Sequence, residues 1–179
     1  MREPASPDPV ADPEAYQQLI LSFLGDDDPA DAQAGGIGAW RAIVAEAGEL
    51  GAIRPEPSEW SVVECLSHAL DAEIVSTARY RWILAHEQPE LVGYDQDLWV
   101  DALHAGRNED PSVLFEVFEP LRIANLALWA RSPKEDRDRI GIHAERGRES
   151  YDLVFRMIAG HDRFHLAQAR RALDAVSRA

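Results

Sequence analysis

The sequence predicts an all-helical protein. Several segments repeat apolar residues at the 3.6-residue period of an α-helix, alternating apolar and polar residues are scarce, and no internal repeat occurs. A length of 179 residues with 46% apolar content suits one domain of ordinary size with a real core. We expect this single domain over residues 13–179, after a mobile tail at 1–12 that is rich in proline and has no apolar run.

Two helical segments are expected before residue 52. Asp12 as N-cap and Pro13 at the first helical position predict a helix that ends at Gly25. The acidic, glycine-containing stretch 26–36 predicts a break. A second segment then runs from 37 to 51, ahead of two prolines.

The clearest helix start lies at Ser61. Ser61 and Glu64 have the spacing of a capping box, and Trp60 and Cys65 are placed to form a hydrophobic staple. The helix should continue to the turn before Pro89. Its apolar residues lie on nearly every side, which predicts a central, buried helix.

The second half of the chain predicts four further segments. A short crossing helix follows Asp95 as N-cap, and a major helix spans 111–132 with a kink at Pro120. A brief helix should begin with a capping box from Ser132 to Glu135, and residues 139–150 are expected to be a loop. The last helix runs from about 151 to 176 behind Ser150 as N-cap.

Charge and composition exclude several function classes. A net charge of −14 disfavours nucleic-acid binding, because lysine and arginine supply most of the affinity for phosphate backbones. No run of about 18 apolar residues predicts a membrane span. Cys65 is the single cysteine, which excludes an internal disulfide and suits a reducing, cytoplasmic compartment. Cys65 itself should be buried and inert.

Three histidines form a candidate metal site. His161 and His165 are four residues apart on the apolar face of the last helix, so their rings lie about 5 to 6 Å apart. His68 lies in the most apolar helix, and packing these two helices together would bring three imidazoles to one point. One divalent cation would then satisfy all three rings. The alternative is that each ring finds its own hydrogen-bond partner.

The stretches "EWSVVECLSHALDAE", "IHAERGRES" and "GHDRFHLAQ" resemble the DinB/YfiT superfamily of metalloenzymes. The resemblance implies a four-helix bundle with up-down-down-up connectivity, supplemented here by the short crossing helices. It also implies His68, His161 and His165 as ligands of a nickel- or zinc-type ion at one end of a cavity. Family members with known activities include transferases and isomerases that use bacillithiol, mycothiol or glutathione.

Three neutral imidazoles leave a bound ion at least one open position, which is typical of catalytic zinc. A water there has its pKa lowered from 15.7 toward about 7, and a thiol is held as thiolate. Both hydrolysis and thiol transfer are therefore open, and no general base stands out. Glu64 has its capping task, and Asp162 is too short and lacks the following ligand that a zinc protease would need.

Other polar residues have two interpretations each. Asp71 faces His68 and either orients an imidazole or pairs with an arginine. Gln168, one turn beyond His165, binds substrate, holds a ligand ring or fills the core. Tyr94 and Trp99 either wall a cavity or simply pack. The three remaining histidines are expected at the surface or in loops, at positions 86, 104 and 143.

Three functional hypotheses follow. The first is a metal-dependent enzyme, either a thiol-dependent S-transferase or a small-molecule hydrolase. The second is a module that binds a metal and a small-molecule ligand without turnover. The third is a structural helical protein that pairs with itself, and homodimerisation is compatible with all three.

Overall fold

The computed structural model describes Pro7 and residues 11–178. The predicted mobile tail therefore lies almost entirely outside the described residues. The helices are α1 Pro13–Leu24, α2 Pro29–Ala47, α3 Val62–Ala85, α4 Gln96–Ala102, α5 Pro111–Arg131 and α6 Tyr151–Val176. Two short 3₁₀ turns cover Gly48–Ala52 and Lys134–Asp138, and three short strands are β1 Glu90–Leu91, β2 Ile140–His143 and β3 Gly147–Ser150.

Helices α2, α3, α5 and α6 form a four-helix bundle, in which α6 packs against α2 and α3, and α5 packs against the same two helices. Helix α2 runs parallel to α6. Gln33 near the start of α2 donates to the carbonyl of Phe155 near the start of α6, and Glu46 at the far end pairs with Arg170. Helices α3 and α5 lie between α2 and α6 in the chain, and both run in the opposite direction to these two helices.

Helix α3 runs parallel to α5 and antiparallel to α6. Arg122 of α5 contacts Glu73 of α3, and Asn125 one turn later contacts Thr77 one turn later. On the other side, the ring of Tyr80 near the end of α3 lies 5.4 Å from that of Tyr151 at the start of α6. The order up-down-down-up implied by the family resemblance is confirmed.

Helix α1 lies outside this bundle and packs along α6. It buries Tyr16, Ile20 and Leu24. Arg163 of α6 donates to the carbonyls of Phe23 and Leu24 at the end of α1.

Two of the three apolar clusters among the described residues lie along α3 and α6, and the third packs α1 on α6. Of the first two, one surrounds Trp40, Leu66 and Phe118, and the other surrounds Tyr80 and Phe155. Along α6, residues 161 to 165 lie between the residues that belong to these two clusters. None of the helices in the described residues combines the length and apolar character that a membrane span requires.

The predicted helix starts at Asp12, Ser61, Asp95 and Ser150 are confirmed, because each of these side chains accepts a hydrogen bond from a backbone N–H in the first turn. The capping box at Ser61 is complete in both directions. The carboxylate of its partner Glu64 also receives a hydrogen bond of 2.8 Å from the guanidinium of Arg54.

The predicted break over residues 26–36 was too long, because α2 already begins at Pro29. Asp28 caps α2 by accepting from the N–H groups of Ala30 and Asp31, and Pro29 takes the first helical position. The glycines that suggested a break lie inside the helix. At Gly36 the absent side chain makes room for the carboxylate of Asp162, since an added Cβ would lie 2.8 Å from its oxygen.

The prediction of a loop over residues 139–150 was also wrong. Strands β2 and β3 pair antiparallel, and β1 joins β2 in parallel. Gly147, with φ of +76°, reverses the chain between β2 and β3. The capping box predicted at Ser132 does not form, because its hydroxyl donates to the carbonyl of Leu128 in the preceding turn of α5.

Candidate metal centre

The three predicted histidines meet between α3 and α6. One nitrogen from each ring lies within 4.8 Å of those of the other two. Nε2 of His68 is 3.0 Å from Nε2 of His161. All three side chains are buried, with at most 9% of each residue exposed. The early position of His68 in α3 and the antiparallel packing of α6 produce this meeting of residues that are distant in sequence.

The three rings are neutral near pH 7. Burial lowers the pKa of His68 and of His161 well below the ordinary value, and the neighbouring histidines lower both further. Burial also lowers the pKa of His165 to about 4. Neutral imidazole is the form that binds metals, so the cluster is in the protonation state that a cation requires.

The hydrogen bonding of the cluster is incomplete, and an ion held by the three Nε2 atoms would give the Nε2 atom of His165 a partner. Among the described residues no partner exists for Nδ1 of His68, Nδ1 of His161 or Nε2 of His165, and all three atoms are buried. A buried polar atom without a partner costs about 1 to 3 kcal/mol. The two Nε2 atoms 3.0 Å apart are close to the roughly 3.3 Å expected between two ligands of tetrahedral zinc with bonds of 2.0 to 2.1 Å. The donor set therefore fits a divalent ion.

Gln168 lies against this cluster, whereas Asp71 forms no hydrogen bond or ion pair with it among the described residues. Oε1 of Gln168 is 2.8 Å from Nδ1 of His165. Accepting the Nδ1 proton fixes the ring tautomer and leaves the Nε2 lone pair of His165 directed away from Gln168. Asp71 is half-buried, and burial and Glu109 raise the pKa of its carboxyl to about 6.

Aromatic rings enclose the histidines. The indole of Trp60 stacks on His165 at 5.8 Å and tilts against His68 at 5.0 Å. The ring of Tyr94 lies 6.3 Å from that of His68, and Trp99 packs against Tyr94. Trp60, expected from the sequence only as part of a staple, thus forms a wall of the site.

A cavity of about 190 Å³ adjoins the cluster. His161 and Tyr94 belong to its lining, which confirms Tyr94 as a wall residue. One wall is formed by α3, another by α6, and a third by the turn between β2 and β3. A small molecule in this cavity would lie directly beside the imidazole of His161.

His143 was wrongly expected at the surface or in a loop. It lies in β2, is 1% exposed and lines the cavity. Its Nε2 is 3.0 Å from Nη2 of the buried Arg79. Burial first, and then the charges of Arg146 and Arg79, lower its pKa to about 4, so the ring is neutral. The alternation of Ile140 and Ile142 with two other residues is the signal that could have placed His143 in a strand.

A buried ionic network lies behind His161. Arg122 donates to Asp162 at 2.6 Å and to Glu73 at 2.9 Å, and Asn125 donates to Glu73 at 2.7 Å. Asp162 is 3% exposed. The network joins α3, α5 and α6 and was missed because its members are distant in sequence. Glu73 and Arg122 lie in largely apolar helices, and this was the available signal, since buried charges require partners.

The fold and the site together define a class: helical bundles with a buried three-histidine cluster at the edge of a cavity. The family model of the DinB superfamily matches residues 39–169, which is more than half of the chain. The chain belongs to the DinB superfamily.

Two known proteins are similar to this chain, one in sequence and one in fold. A protein of Oceanobacillus iheyensis named "putative metal-dependent hydrolase" is 24% identical over 115 residues, which are 64% of this chain and 65% of that protein. The chain thus spans just under two thirds of that relative's length. The structure of YfiT from Bacillus subtilis, titled "a probable metal-dependent hydrolase with an unusual four-helix bundle topology", superimposes with a TM-score of 0.74 at 14% identity. The superposition covers 99% of this chain and 94% of YfiT.

Proposed function

We propose that this chain is a metal-dependent enzyme that acts on a small-molecule substrate. His68, His161 and His165 would hold a divalent ion of the zinc or nickel type. The observation that carries the proposal is the cluster of three neutral, buried imidazoles with unpartnered nitrogens beside a cavity. The names of the two relatives point in the same direction.

Each residue of the site has a defined task in this proposal. Gln168 holds the ring of His165 in the tautomer that a ligand needs. Trp60 fixes the planes of two rings and keeps water from their edges. The cavity beside His161 admits and orients the substrate. A bound divalent ion would supply Lewis acidity and lower the pKa of a coordinated water or thiol.

Hydrolysis is the first reaction class that we propose, in line with the names of both relatives. Thiol-dependent S-transfer, with mycothiol or bacillithiol as the kind of thiol expected, is the second. The contact of Glu149 in the cavity wall favours this second class. Glu149 is held by Arg146 and is not free to act as a general base, and a thiolate nucleophile needs no separate general base.

Metal analysis of the purified protein tests the metal site. We expect roughly one zinc or nickel per chain in the native protein and in His104→Ala, whose histidine is exposed. His68→Ala and His161→Ala should retain less than about a tenth of it, since each loses one of three ligands. Equal metal content in all four proteins, or none in any, would refute the site.

An activity screen tests the reaction class. Metal-loaded protein is incubated with small esters, amides and electrophiles, each with and without a low-molecular-weight thiol. Turnover without thiol supports hydrolysis, and turnover that requires thiol supports S-transfer. Saturable binding with no product in either series would mean that the chain is a binding module and not an enzyme.

A further inference from the structure

The cavity contains a buried arginine that has no carboxylate partner. Arg79 is 6% exposed. Its Nη2 donates to the carbonyl of Val92 at 2.6 Å and lies 3.0 Å from His143, while its Nε has no hydrogen-bond partner among the described residues. Within the described part of the chain, no carboxylate lies within ion-pair distance of this guanidinium.

Two guanidinium groups and four carboxylates line the cavity, and Arg79 is the guanidinium that has no carboxylate at ion-pair distance among the described residues. The other guanidinium in the cavity lining, Arg146, forms two hydrogen bonds with the buried carboxylate of Glu149, at 2.5 and 3.2 Å. His143 is neutral. Glu145 and Glu149 act on Arg79 only at a distance, and Asp95 and Asp97 lie at the exposed mouth. A buried charge is costly without a partner, so this position favours an anion.

Arg79 also lies in line with the histidine cluster. His68, Ala72, Ser76 and Arg79 follow one another at helical spacing along one face of α3, and the last three line the cavity. The Cα atoms of His68 and Arg79 are about 16 Å apart along the helix axis. The facing wall of α6 is apolar, with Met157 and Ile158. A short molecule can thus lie between the guanidinium and the imidazoles.

We propose that Arg79 binds the carboxylate of a monoanionic small molecule whose other end faces the histidine cluster. This inference rests on the proposed function, because it names the class of substrate for the same site. A single guanidinium without a carboxylate at ion-pair distance matches one negative charge, and a charge-assisted hydrogen bond from it to a carboxylate would supply the missing partner. A phosphate dianion would carry a second charge close to Glu145 and Glu149, which disfavours it.

Titration with butyrate, butyramide and inorganic phosphate tests this proposal. Binding is followed by NMR on the native protein, both zinc-loaded and metal-free, so that direct coordination of a carboxylate to the metal is distinguished from binding at Arg79. We expect butyrate to bind both forms roughly tenfold or more tightly than the uncharged isostere butyramide. Equal binding of the two, or tighter binding of phosphate, would overturn the proposal.

Substitutions of Arg79 test whether butyrate binds at this residue. Arg79→Met should weaken butyrate binding roughly tenfold to a hundredfold, and Arg79→Lys should weaken it less. The control is Arg41→Met, which removes an exposed guanidinium paired with Glu119 on the surface. Equal butyrate affinity in Arg79→Met and Arg41→Met would also overturn the proposal. If Arg79→Met does not fold, the comparison of butyrate with butyramide on the native protein still decides.

The two proposals fail in different ways. Absence of stoichiometric metal would refute the proposed metal site and leave butyrate binding to the metal-free protein measurable. Normal zinc content without selective butyrate binding would refute only the role of Arg79.

Discussion

Replacing Gly160 by alanine should weaken the packing of α1 on α6. Gly160 is helical and precedes His161, and a Cβ built on it would overlap the backbone carbonyl oxygen of Ile20. A backbone atom has no alternative rotamer, so α1 must retreat. Any retreat loosens the contacts of Tyr16, Ile20 and Leu24 with α6.

Alanine should change the free energy of unfolding in opposite directions at Gly160 and at a helical glycine that has free space around it. Overpacking of this kind costs about 1 to 3 kcal/mol, and occasionally more. Gly35, inside α2, has nothing within 4 Å of an added Cβ. Gly35→Ala should therefore gain about 0.5 to 1 kcal/mol from helix propensity alone. For a chain of this length each kcal/mol corresponds to roughly 2 to 4 °C in Tm.

Urea unfolding and thermal melting of the two variants measure this difference. We expect Gly160→Ala to be less stable than the native protein and Gly35→Ala to be at least as stable. The zinc content of both should remain native, because α1 supplies none of the three histidines. If Gly160→Ala is as stable as Gly35→Ala, the close approach of α1 to α6 is incorrect.

Three further predictions concern the site and its supports. Gln168→Leu should lower zinc affinity about 10- to 100-fold, measured by competition with a chelator, whereas the exposed Gln18→Leu should not change it. The metal-free protein should lose folding stability as the pH falls from 6.5 toward 4. The pKa of His143 is about 4 in the folded chain and ordinary in the unfolded chain, so the unfolded state binds more protons in that range. Urea unfolding at several pH values should give a shallower dependence for His143→Gln, and an unchanged dependence would contradict this assignment. Ser61→Ala should cost about 1 kcal/mol in urea unfolding, because it removes the N-cap of α3, and an unchanged midpoint would exclude that role.

Features fixed by local chemistry could be predicted from the sequence. The caps at Asp12, Ser61, Asp95 and Ser150 each act within three residues, so their patterns are complete in a short stretch. The His161 and His165 pair is local in the same sense. The start of α2 was also available in the sequence, since Asp28 followed by Pro29 is a cap signal, but the glycines beyond it were given too much weight.

Features that depend on tertiary packing could not be predicted in this way. Arg122 contacts Glu73 and Asp162 across 49 and 40 positions, and no periodicity links the three residues. The environment of His143 depends on a strand pairing in which β1 and β2 are about 50 residues apart in sequence. Placing His68 beside α6 required either the family resemblance or the assumption that the two most buried helices pack together.

The histidine cluster links two positions separated by 93 residues, 68 and 161. An unfolded chain keeps only the nearby pair at 161 and 165, so it offers a cation two ligands at most in one region. A metal that needs all three would bind the native state in preference and act as a removable cross-link between α3 and α6. At a free concentration a thousand times its Kd, such an ion adds about 4.1 kcal/mol to the stability of the fold. Thermal melting with and without a chelator would therefore measure how much the ion stabilises the packing of α3 against α6, and it would also show whether the metal site is occupied.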